Sequence, residues 1–495
     1  MNPHVDLATI SIHLRNQYSG LASELSDKTG RSVDLGSVPA PTWDCIAGYR
    51  FDAVWLMGVW QRSPKSVDSA NRNNHLLDEF KRALPDFQPQ DNIGSAYSLR
   101  DYIVDKPLGG PEGLAVARRE LARRGIRLIL DFVPNHVALD HPWVSEHPEY
   151  FIPGNPDDTK NDPESFVEVN RKIFAYGRDP YFPAWRDVVQ LNAFHSGLRQ
   201  AAIETVTNIA SQCDGVRCDM AMLLLNAIFE RTWGTRAGQK PTTEYWAGLI
   251  SAIKRTRPEF LFIAETYWDR EWELQQQGFD FCYDKRFYDR LAHGNAEELR
   301  SHLRADPDYQ MSLLRFIENH DEQRAAAVFS FQKERAAAVA MATVPGLKLF
   351  HEGQLEGRKI RLPVFLRRRP LEPVNQSLKE FYVTLFRFID TSIFRQGDWT
   401  LFHCTGWPDN STYQNLLAWS WIKENDHYLV IINFSRIPAQ GRVQVLWDEL
   451  REKTCRLLDT FSGETYGRNG DEMRDPGLYV GLIPWGFHFF RCQII

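Results

Sequence analysis

The chain has 495 residues, of which 43% are hydrophobic and 25% are charged. These values are typical of a folded globular protein and exclude a disordered or fibrous chain. The 64 acidic and 58 basic residues leave a net charge of −6, which argues against nucleic acid as the main partner.

The cysteines and the apolar segments bear on the cellular compartment. Seven cysteines, an odd number without CxxC pairs, favour reduced thiols over a disulfide framework or a zinc site. The N-terminal stretch lacks a basic start followed by an apolar segment, and no apolar run approaches the roughly 18 residues that a membrane span needs. We therefore expect a soluble, cytoplasmic protein with no membrane partner.

From about residue 50 to residue 355, short apolar runs alternate with helix-like stretches, which predicts repeated β-α units and a parallel sheet. FDAVWLMGV (51–59) predicts a buried strand. PEGLAVARRELARRG (111–125) predicts a helix that starts at a proline and stops at a glycine, and IRLILDFVP (126–134) predicts the next strand. An open doubly wound sheet and a closed (β/α)8 barrel both fit. No GxGxxG follows a strand, so the barrel is favoured.

The β-α pattern is interrupted once and ends before the chain does. Between His136 and about Gln190, a Pro/Asp/Asn-rich stretch is too long for an ordinary connection and predicts an inserted domain or lid. After about residue 395, short apolar runs separated by turn residues predict an antiparallel β domain. The predicted domains are a barrel over 1–136 and 191–394, an inserted domain over 137–190 and a C-terminal β domain over 395–495.

Four of the predicted strands end in polar residues. In a barrel, the carboxyl ends of the strands converge on one face, which is where barrel enzymes place their chemistry. We therefore expect the carboxylates among these residues to face one pocket. The residues are Asp131 with Asn135 and His136, Arg217 with Asp219, Glu265, and Asn319 with His320 and Asp321.

Two carboxylates that flank a bond suit acetal cleavage, because one can protonate the leaving oxygen while the other captures or stabilises the cationic carbon. An arginine favours the ionised form of a neighbouring carboxyl group, whereas apolar surroundings favour the neutral form. Arg217 is therefore expected to hold Asp219 ionised, and Glu265, in an apolar local sequence, to donate the proton. Taken alone, Arg217 and Asp219 fit a structural ion pair better than a catalytic one.

In these regions the chain resembles the α-amylase family of retaining α-glycoside hydrolases and transglycosylases. Four segments are similar, in order, to the family's four signature regions, and two more to its accessory region and to the loop after its second strand. They are DFVPNH (131–136), GVRCD (215–219), FIAE (262–265) and ENHD (318–321), with VVQLN (188–192) and SAYSLRDY (95–102). The resemblance implies a (β/α)8 TIM barrel with an inserted domain after the third strand and a C-terminal antiparallel β-sandwich.

The resemblance also implies three catalytic residues. Asp219 would be the nucleophile that forms a β-glycosyl-enzyme, and Glu265 would be the acid/base. Asp321 would bind sugar hydroxyls and stabilise the transition state. The implied activity is hydrolysis of α-glucosidic bonds in α-glucans or maltooligosaccharides, with retention because two inverting steps act at one carbon.

Four further residues are implied to bind the substrate. Arg217 would hold Asp219 ionised, and Tyr97 would stack beneath the sugar. His136 and His320 would form hydrogen bonds with the sugar in the first subsite. Glucosyl or maltosyl transfer and hydrolysis of small α-glucosides use the same intermediate and stay open, and so does a non-catalytic sugar-binding role, against which the three carboxylates argue.

The chain departs from the family's pattern at several positions. Residues 220–225 read MAMLLL, where the family often has Lys-His near its leaving-group subsites and a calcium site. Ser98 follows Tyr97 where many members have Asp. Asn135 matches a calcium-ligand position, but Asn192 stands where several members have Asp, which weakens an oxygen-rich cation site. We predict no required cofactor and no metal ligand, with calcium left open.

Overall fold

The computed structural model describes residues 9–12, for which only the backbone is described, and 33–495. Eight parallel strands, labelled β1 to β8 in chain order, have the sheet order β1-β8-β7-β6-β5-β4-β3-β2 of a closed barrel. The predicted (β/α)8 fold class is confirmed. The strands are Thr9–Ile12, Ala53–Leu56, Arg127–Phe132, Gly215–Cys218, Leu261–Ala264, Phe281–Tyr283, Leu313–Arg315 and Leu347–His351.

The barrel strands are short and apolar because both of their faces are covered. Every residue of β2, β4 and β5 is buried, as expected for strands of a parallel sheet with helices outside it. Gly215 opens β4 between β3 and β5. A Cβ atom there would lie 2.7 Å from Cβ of Leu261 and 2.8 Å from Cδ1 of Ile129, so the neighbouring strands leave room for glycine alone.

Helices follow the strands as the sequence pattern predicts. The helix predicted over 111–125 is observed at Gly110–Ala122, with Leu114, Ala117 and Leu121 buried. The α-helices are Ala40–Gly48, Pro64–Asn71, Asn74–Ala83, Gly110–Ala122, Trp143–Glu146, Pro156–Asn161, Ser196–Gln212, Asn226–Trp233, Tyr245–Lys254, Glu271–Gln276, Lys285–His293, Ala296–Leu303, Pro307–Met311, Ala325–Val328, Phe331–Thr343, Gln376–Ile389, Ile393–Gln396 and Gly470–Glu472. Within the described ranges, no helix combines the length and the apolar character needed to cross a membrane.

The described chain forms two compact units. The N-terminal unit comprises Thr9–Tyr283 and Ile360–Leu371, and the C-terminal unit comprises Asp284–Lys359 and Glu372–Ile495. The N-terminal unit holds β1 to β6 and the antiparallel strand pair Trp60–Arg62 and Leu99–Val104. The C-terminal unit holds β7 and β8, which pair in parallel.

An antiparallel sheet lies in the chain between β3 and β4, inside the N-terminal unit. Its strands, in sheet order, are His136–Ala138, Trp185–Gln190, Lys172–Gly177 and Phe166–Val169. Buried residues that include Val137, Phe151, Phe174 and Val189 form its own small core. The insertion after the third strand is thus present, while its boundaries at 137 and 190 stay predictions.

Antiparallel strands make up the end of the C-terminal unit. Two sheets enclose one core that includes Leu416, Leu429, Val443 and Phe490, which is the arrangement of a β-sandwich. The boundary at 395 stays a prediction. One sheet has the order Asp398–Leu401, Leu416–Lys423, Asp426–Asn433, Phe487–Ile494, Thr454–Asp459, Thr465–Asn469, and the other Cys404–Thr405, Ala439–Val443, Leu478–Leu482.

Candidate active site

Arg217 and Asp219 lie at the carboxyl end of β4. Side chains of a strand alternate between its two faces, so these two residues can meet while Cys218 between them faces away. Nη1 of Arg217 donates a 2.7 Å hydrogen bond to Oδ1 of Asp219. The two residues are only 1% and 5% exposed. The pair is therefore both buried and hydrogen-bonded, as a buried ion pair must be to persist.

Arg217 is enclosed by carboxylates and aromatic rings. Its Nη2 lies 2.7 Å from Oε2 of Glu265, in a charge contact whose N–H direction does not meet hydrogen-bond geometry. Burial lowers the pKa of Arg217, but the negative charge of Glu265 leads the opposing effects, and the net pKa lies well above its ordinary value. The guanidinium carbon lies 5.2 Å from the ring centre of Trp55, 5.3 Å from that of Tyr97 and 5.8 Å from that of Tyr283.

Glu265 follows β5 directly and has polar partners on both oxygens. Oε2 accepts a 2.6 Å hydrogen bond from the backbone N–H of Met220, and Oε1 accepts one of 3.0 Å from the Tyr267 hydroxyl. The apolar local sequence therefore misrepresents its surroundings, because the apolar neighbours in sequence are not the groups that the carboxyl group faces. Glu265 and Asp219 share Arg217 as a partner.

Met220 adopts a backbone conformation that is unusual for a residue with a side chain. Its φ of 43° and ψ of 46° lie in the left-handed region, which costs a non-glycine residue on the order of 1 kcal/mol or more. This turn directs the N–H of Met220 at the carboxylate of Glu265 and the N–H of Ala221 at its carbonyl oxygen. The segment MAMLLL thus positions Glu265 through its backbone.

Asp131 joins the end of β3 to the turn after β2. Its Oδ2 accepts a 2.8 Å hydrogen bond from the N–H of Gly58, and its Oδ1 lies 3.7 Å from Nη1 of Arg217. Burial raises the pKa of Asp131 to about 7, against the opposing effects of Arg217 and the Gly58 N–H, and the charge of Asp219 adds to the increase. Asp131 braces the barrel around Arg217.

His136 and Tyr97 belong to the same unit and the same neighbourhood. Burial lowers the pKa of His136, while the charges of Asp219 and Asp187 and a hydrogen bond to the Tyr97 backbone oppose the decrease. The imidazole is therefore neutral at neutral pH. The ring of His136 lies 5.1 Å from that of Trp185. The structure thus brings five of the seven predicted site residues together: Arg217, Asp219, Glu265, His136 and Tyr97.

The other two predicted residues, His320 and Asp321, lie in the C-terminal unit after β7. Nε2 of His320 is 3.0 Å from Oδ2 of Asp321, and the Asp321 side chain is 43% exposed. The side-chain carbonyl of Asn319 accepts hydrogen bonds from the N–H groups of Asp321 and Glu322, which fixes the turn. Their roles, like those of the other five residues, stay predictions.

An aromatic pair in the N-terminal unit consists of the exposed Tyr181 and the half-buried Trp268, which lies three residues beyond Glu265 in sequence. The rings of Tyr181 and Trp268 meet edge to face with centres 4.8 Å apart, and Tyr181 is 58% exposed. Oδ1 of Asp179 accepts the N–H of Tyr181, and Nη2 of Arg231 donates to its hydroxyl. Trp268 has a left-handed φ of 61°. Sequence reasoning could not assign this pair, since each ring alone fitted packing equally well.

The two asparagines at calcium-ligand positions are engaged in the fold. Oδ1 of Asn135 accepts from the side chain of Gln190, and Oδ1 of Asn192 accepts from the N–H of Phe194. In the part of the chain that the structure describes, no group of three or more His, Cys, Asp and Glu side chains is arranged to hold a metal ion. The two side-chain oxygens that would bind calcium thus accept hydrogen bonds within the fold.

The chain is similar to a known protein family and to characterised proteins. A family model described as the alpha amylase catalytic domain matches residues 43–360. The chain is 25% identical over 445 residues to alpha-amylase MalA of Haloarcula japonica, covering 86% of this chain and 55% of that protein. It is 22% identical over 290 residues to alpha-amylase 3 of Dictyoglomus thermophilum, covering 53% and 54%. The chain thus spans about half the length of these curated relatives.

Solved structures with the same fold cover the chain fully. A noncanonic maltogenic alpha-amylase from Thermotoga neapolitana is 18% identical, with a TM-score of 0.69 over 100% of both chains. An alpha-amylase from Geobacillus thermoleovorans, complexed with acarbose, is 16% identical, with a TM-score of 0.68 over 99% of this chain and 98% of that one. At such identities the likeness shows the fold alone.

Proposed function

The chain belongs to the α-amylase family, and we propose that it is a retaining glycoside hydrolase that cleaves α-glucosidic bonds in α-glucans or maltooligosaccharides. One observation carries the proposal: the buried guanidinium of Arg217 lies 2.7 Å from an oxygen of Asp219 and 2.7 Å from an oxygen of Glu265. Such an arrangement favours the short separation of the two carboxyl groups, about 5–5.5 Å, that retaining glycosidases use. The alpha-amylase names of the curated relatives support the same substrate class.

In the first step, the two carboxyl groups use the oxygens that Arg217 does not hold. Oδ1 of Asp219 accepts from Arg217, so Oδ2, which accepts no hydrogen bond from the residues described, attacks the anomeric carbon. Oε2 of Glu265 faces Arg217 and the N–H of Met220, so Oε1 carries the proton and passes it to the leaving oxygen. The products are a β-glycosyl ester of Asp219 and the free leaving sugar.

In the second step, water replaces the leaving sugar. Oε1 of Glu265 removes a proton from the water, whose oxygen attacks the anomeric carbon and releases the carboxylate of Asp219. The two inversions give an α-configured product. Arg217 stabilises the carboxylate of Asp219 as it leaves the anomeric carbon, because the guanidinium keeps its positive charge through both steps.

We assign the remaining predicted residues to the sugar in the first subsite. His136, a neutral imidazole, exchanges hydrogen bonds with sugar hydroxyls, and Tyr97 offers a ring face. His320 and Asp321 also bind sugar hydroxyls, and the fixed turn at Asn319 holds them in place. These steps require no cofactor, because residues of the chain and water perform them. The cytoplasmic location stays a prediction from the sequence.

Transfer of a glucosyl or maltosyl group to another sugar is the second candidate. The exposed Tyr181 and the half-buried Trp268, which lies three residues beyond Glu265, offer aromatic surface for an acceptor sugar. A sugar acceptor would replace water in the second step and would leave the glycosyl-enzyme unchanged.

Incubation with maltoheptaose tests the proposal. We expect reducing sugars to be released by the wild type and by Asp68→Asn, a control at an exposed aspartate. Asp219→Asn should lower the rate at least about 1,000-fold, because the nucleophile is lost. Products longer than maltoheptaose would favour transfer over hydrolysis. Absence of turnover of any α-glucoside, or full activity of Asp219→Asn, would overturn the proposal.

A further inference from the structure

The C-terminal unit contains two adjoining cavities of about 430 and 460 Å³. Both cavities lie between two helices, Lys285–His293 and Phe331–Thr343, and two loops. One loop follows the strand Asp426–Asn433, and the other precedes the strand Phe487–Ile494. Their volumes lie in the range of small-molecule sites. We call the two together the basic pocket, defined by the residues that they share: Ala292, His293, Lys333, Arg436 and Trp485.

The charge of the basic pocket has one sign. Its lining contains His293, Lys333 and Arg436 but no aspartate or glutamate. Among residues 33–495, no carboxylate lies within 4 Å of the charged nitrogens of Lys333 or Arg436. At the edge of the basic pocket, the carboxylate of Glu298 accepts a hydrogen bond from the side chain of Asn295. Positive charges that lie close together without an opposite charge repel one another. A bound anion would offset this repulsion.

Lys333 is held in place rather than free in solvent. Its Nζ donates a 2.7 Å hydrogen bond to the carbonyl oxygen of Ala292, and it lies 5.2 Å from the ring centre of Trp485 and 5.7 Å from that of Phe434. Burial lowers the pKa of Lys333, and the positive charge of Arg436 lowers it further. The charges of Lys333 and Arg436 are thus close enough to influence each other. Lys333 is positioned before any ligand binds.

One wall of the basic pocket is aromatic. The rings of Phe434 and Trp485 meet edge to face with centres 5.0 Å apart, and Phe434 is buried behind the half-buried indole. Trp485 has a left-handed φ of 57°, a conformation that is costly for a residue with a side chain. Aromatic faces of this kind bind the apolar face of a sugar ring.

We propose that the basic pocket binds a phosphate monoester of a sugar. Arg436 and Lys333 would bind the phosphate through charge-assisted hydrogen bonds, His293 and Asn295 would complete its polar contacts, and Trp485 would stack on the ring. The phosphate could be carried by a free monosaccharide or by a phosphorylated glucan. The site shares no residue with the active site described above, so the proposal stands apart from the proposed function.

Isothermal titration calorimetry with glucose 6-phosphate tests the proposal. We expect binding at least about tenfold tighter than that of glucose or inorganic phosphate, since neither alone engages both the cations and the ring. Arg436→Gln should weaken binding at least about tenfold, whereas Arg456→Gln, at an exposed arginine of the same unit, should not. Equal binding by the two variants, or inorganic phosphate binding as tightly as glucose 6-phosphate, would overturn it.

Two further arms separate the sources and the sites. A phosphorylated maltodextrin is titrated beside glucose 6-phosphate; the tighter binder identifies the source of the phosphate, and binding of neither contradicts the proposal. Titrations of Asp219→Asn should give the wild-type result, so an inactive enzyme and an empty basic pocket are told apart. Displacement of glucose 6-phosphate by excess maltoheptaose would place it in the active site and would also contradict the proposal.

Discussion

At the scale of single residues, Arg217 connects the groups to which we assign the chemistry. Its contact with Asp219 could be predicted from the sequence, because residues two apart on a strand face the same side. The contact of Arg217 with Glu265 could not be predicted, since it depends on the backbone conformation at the ends of β4 and β5. The polar surroundings of Glu265 could not be predicted for the same reason. The N–H of Met220 reaches Glu265 only because Met220 adopts a left-handed conformation, which no sequence pattern indicates.

The substitution Arg217→Lys tests this connection. Lysine keeps the charge but has one nitrogen, so it cannot approach Asp219 and Glu265 as two guanidinium nitrogens do. We expect kcat on maltoheptaose to fall on the order of 100-fold, with a smaller change in KM, because charge stabilisation in the transition state is lost. Circular dichroism checks that the variant is folded. A kcat within twofold of wild type would rule out the role assigned to Arg217.

At the scale of elements, apolar runs located the strands but extended them too far. The strand predicted over 51–59 ends at Leu56, because the chain turns at Gly58, whose N–H binds the side chain of Asp131 instead of a neighbouring strand. The helix predicted over 111–125 ends at Ala122. Type and order of these elements follow from periodicity, whereas their ends depend on contacts made by residues far away in the sequence.

The close approach of strands at Gly215 gives a test of packing. Gly215→Ala should lower the free energy of unfolding by about 1–3 kcal/mol, since the added methyl group overlaps Leu261 and Ile129. Gly248→Ala is the matched control: it lies in the helix Tyr245–Lys254 with open space around it and should raise stability by about 0.5–1 kcal/mol. Urea unfolding measures both. Equal effects of the two substitutions would show that the barrel relaxes around the methyl group.

The helix Phe331–Thr343 carries a buried carboxyl group that makes stability depend on pH. Burial, with a contribution from the charge of Glu318, raises the pKa of Glu334 from 4.5 to about 8. The folded state then binds more protons than the unfolded state between about pH 4.5 and 8, so the free energy of unfolding falls as pH rises through this window. Glu334→Gln should show a shallower fall, by about 1 kcal/mol or more. Parallel pH profiles of the two proteins would refute this.

At the scale of the whole molecule, the motifs predicted the barrel, the insertion after β3 and the C-terminal sandwich. Motifs report groups that recur at fixed positions, and the regular topology of a barrel fixes which strand end carries each of them. The basic pocket has no such signal, because His293, Lys333, Arg436 and Trp485 come from four separate segments of the chain. Only the packing of these segments shows that their charges and rings share one cavity.

The central claim is that Asp219 forms a glycosyl-enzyme, and the anomeric configuration of the first products tests it most directly. Proton NMR spectra recorded within the first minutes of maltoheptaose cleavage, before mutarotation, should show the α-anomer accumulating first and the β-anomer appearing only later. This order follows from two inversions at one carbon. First appearance of the β-anomer would mean a single displacement by water and would contradict the account.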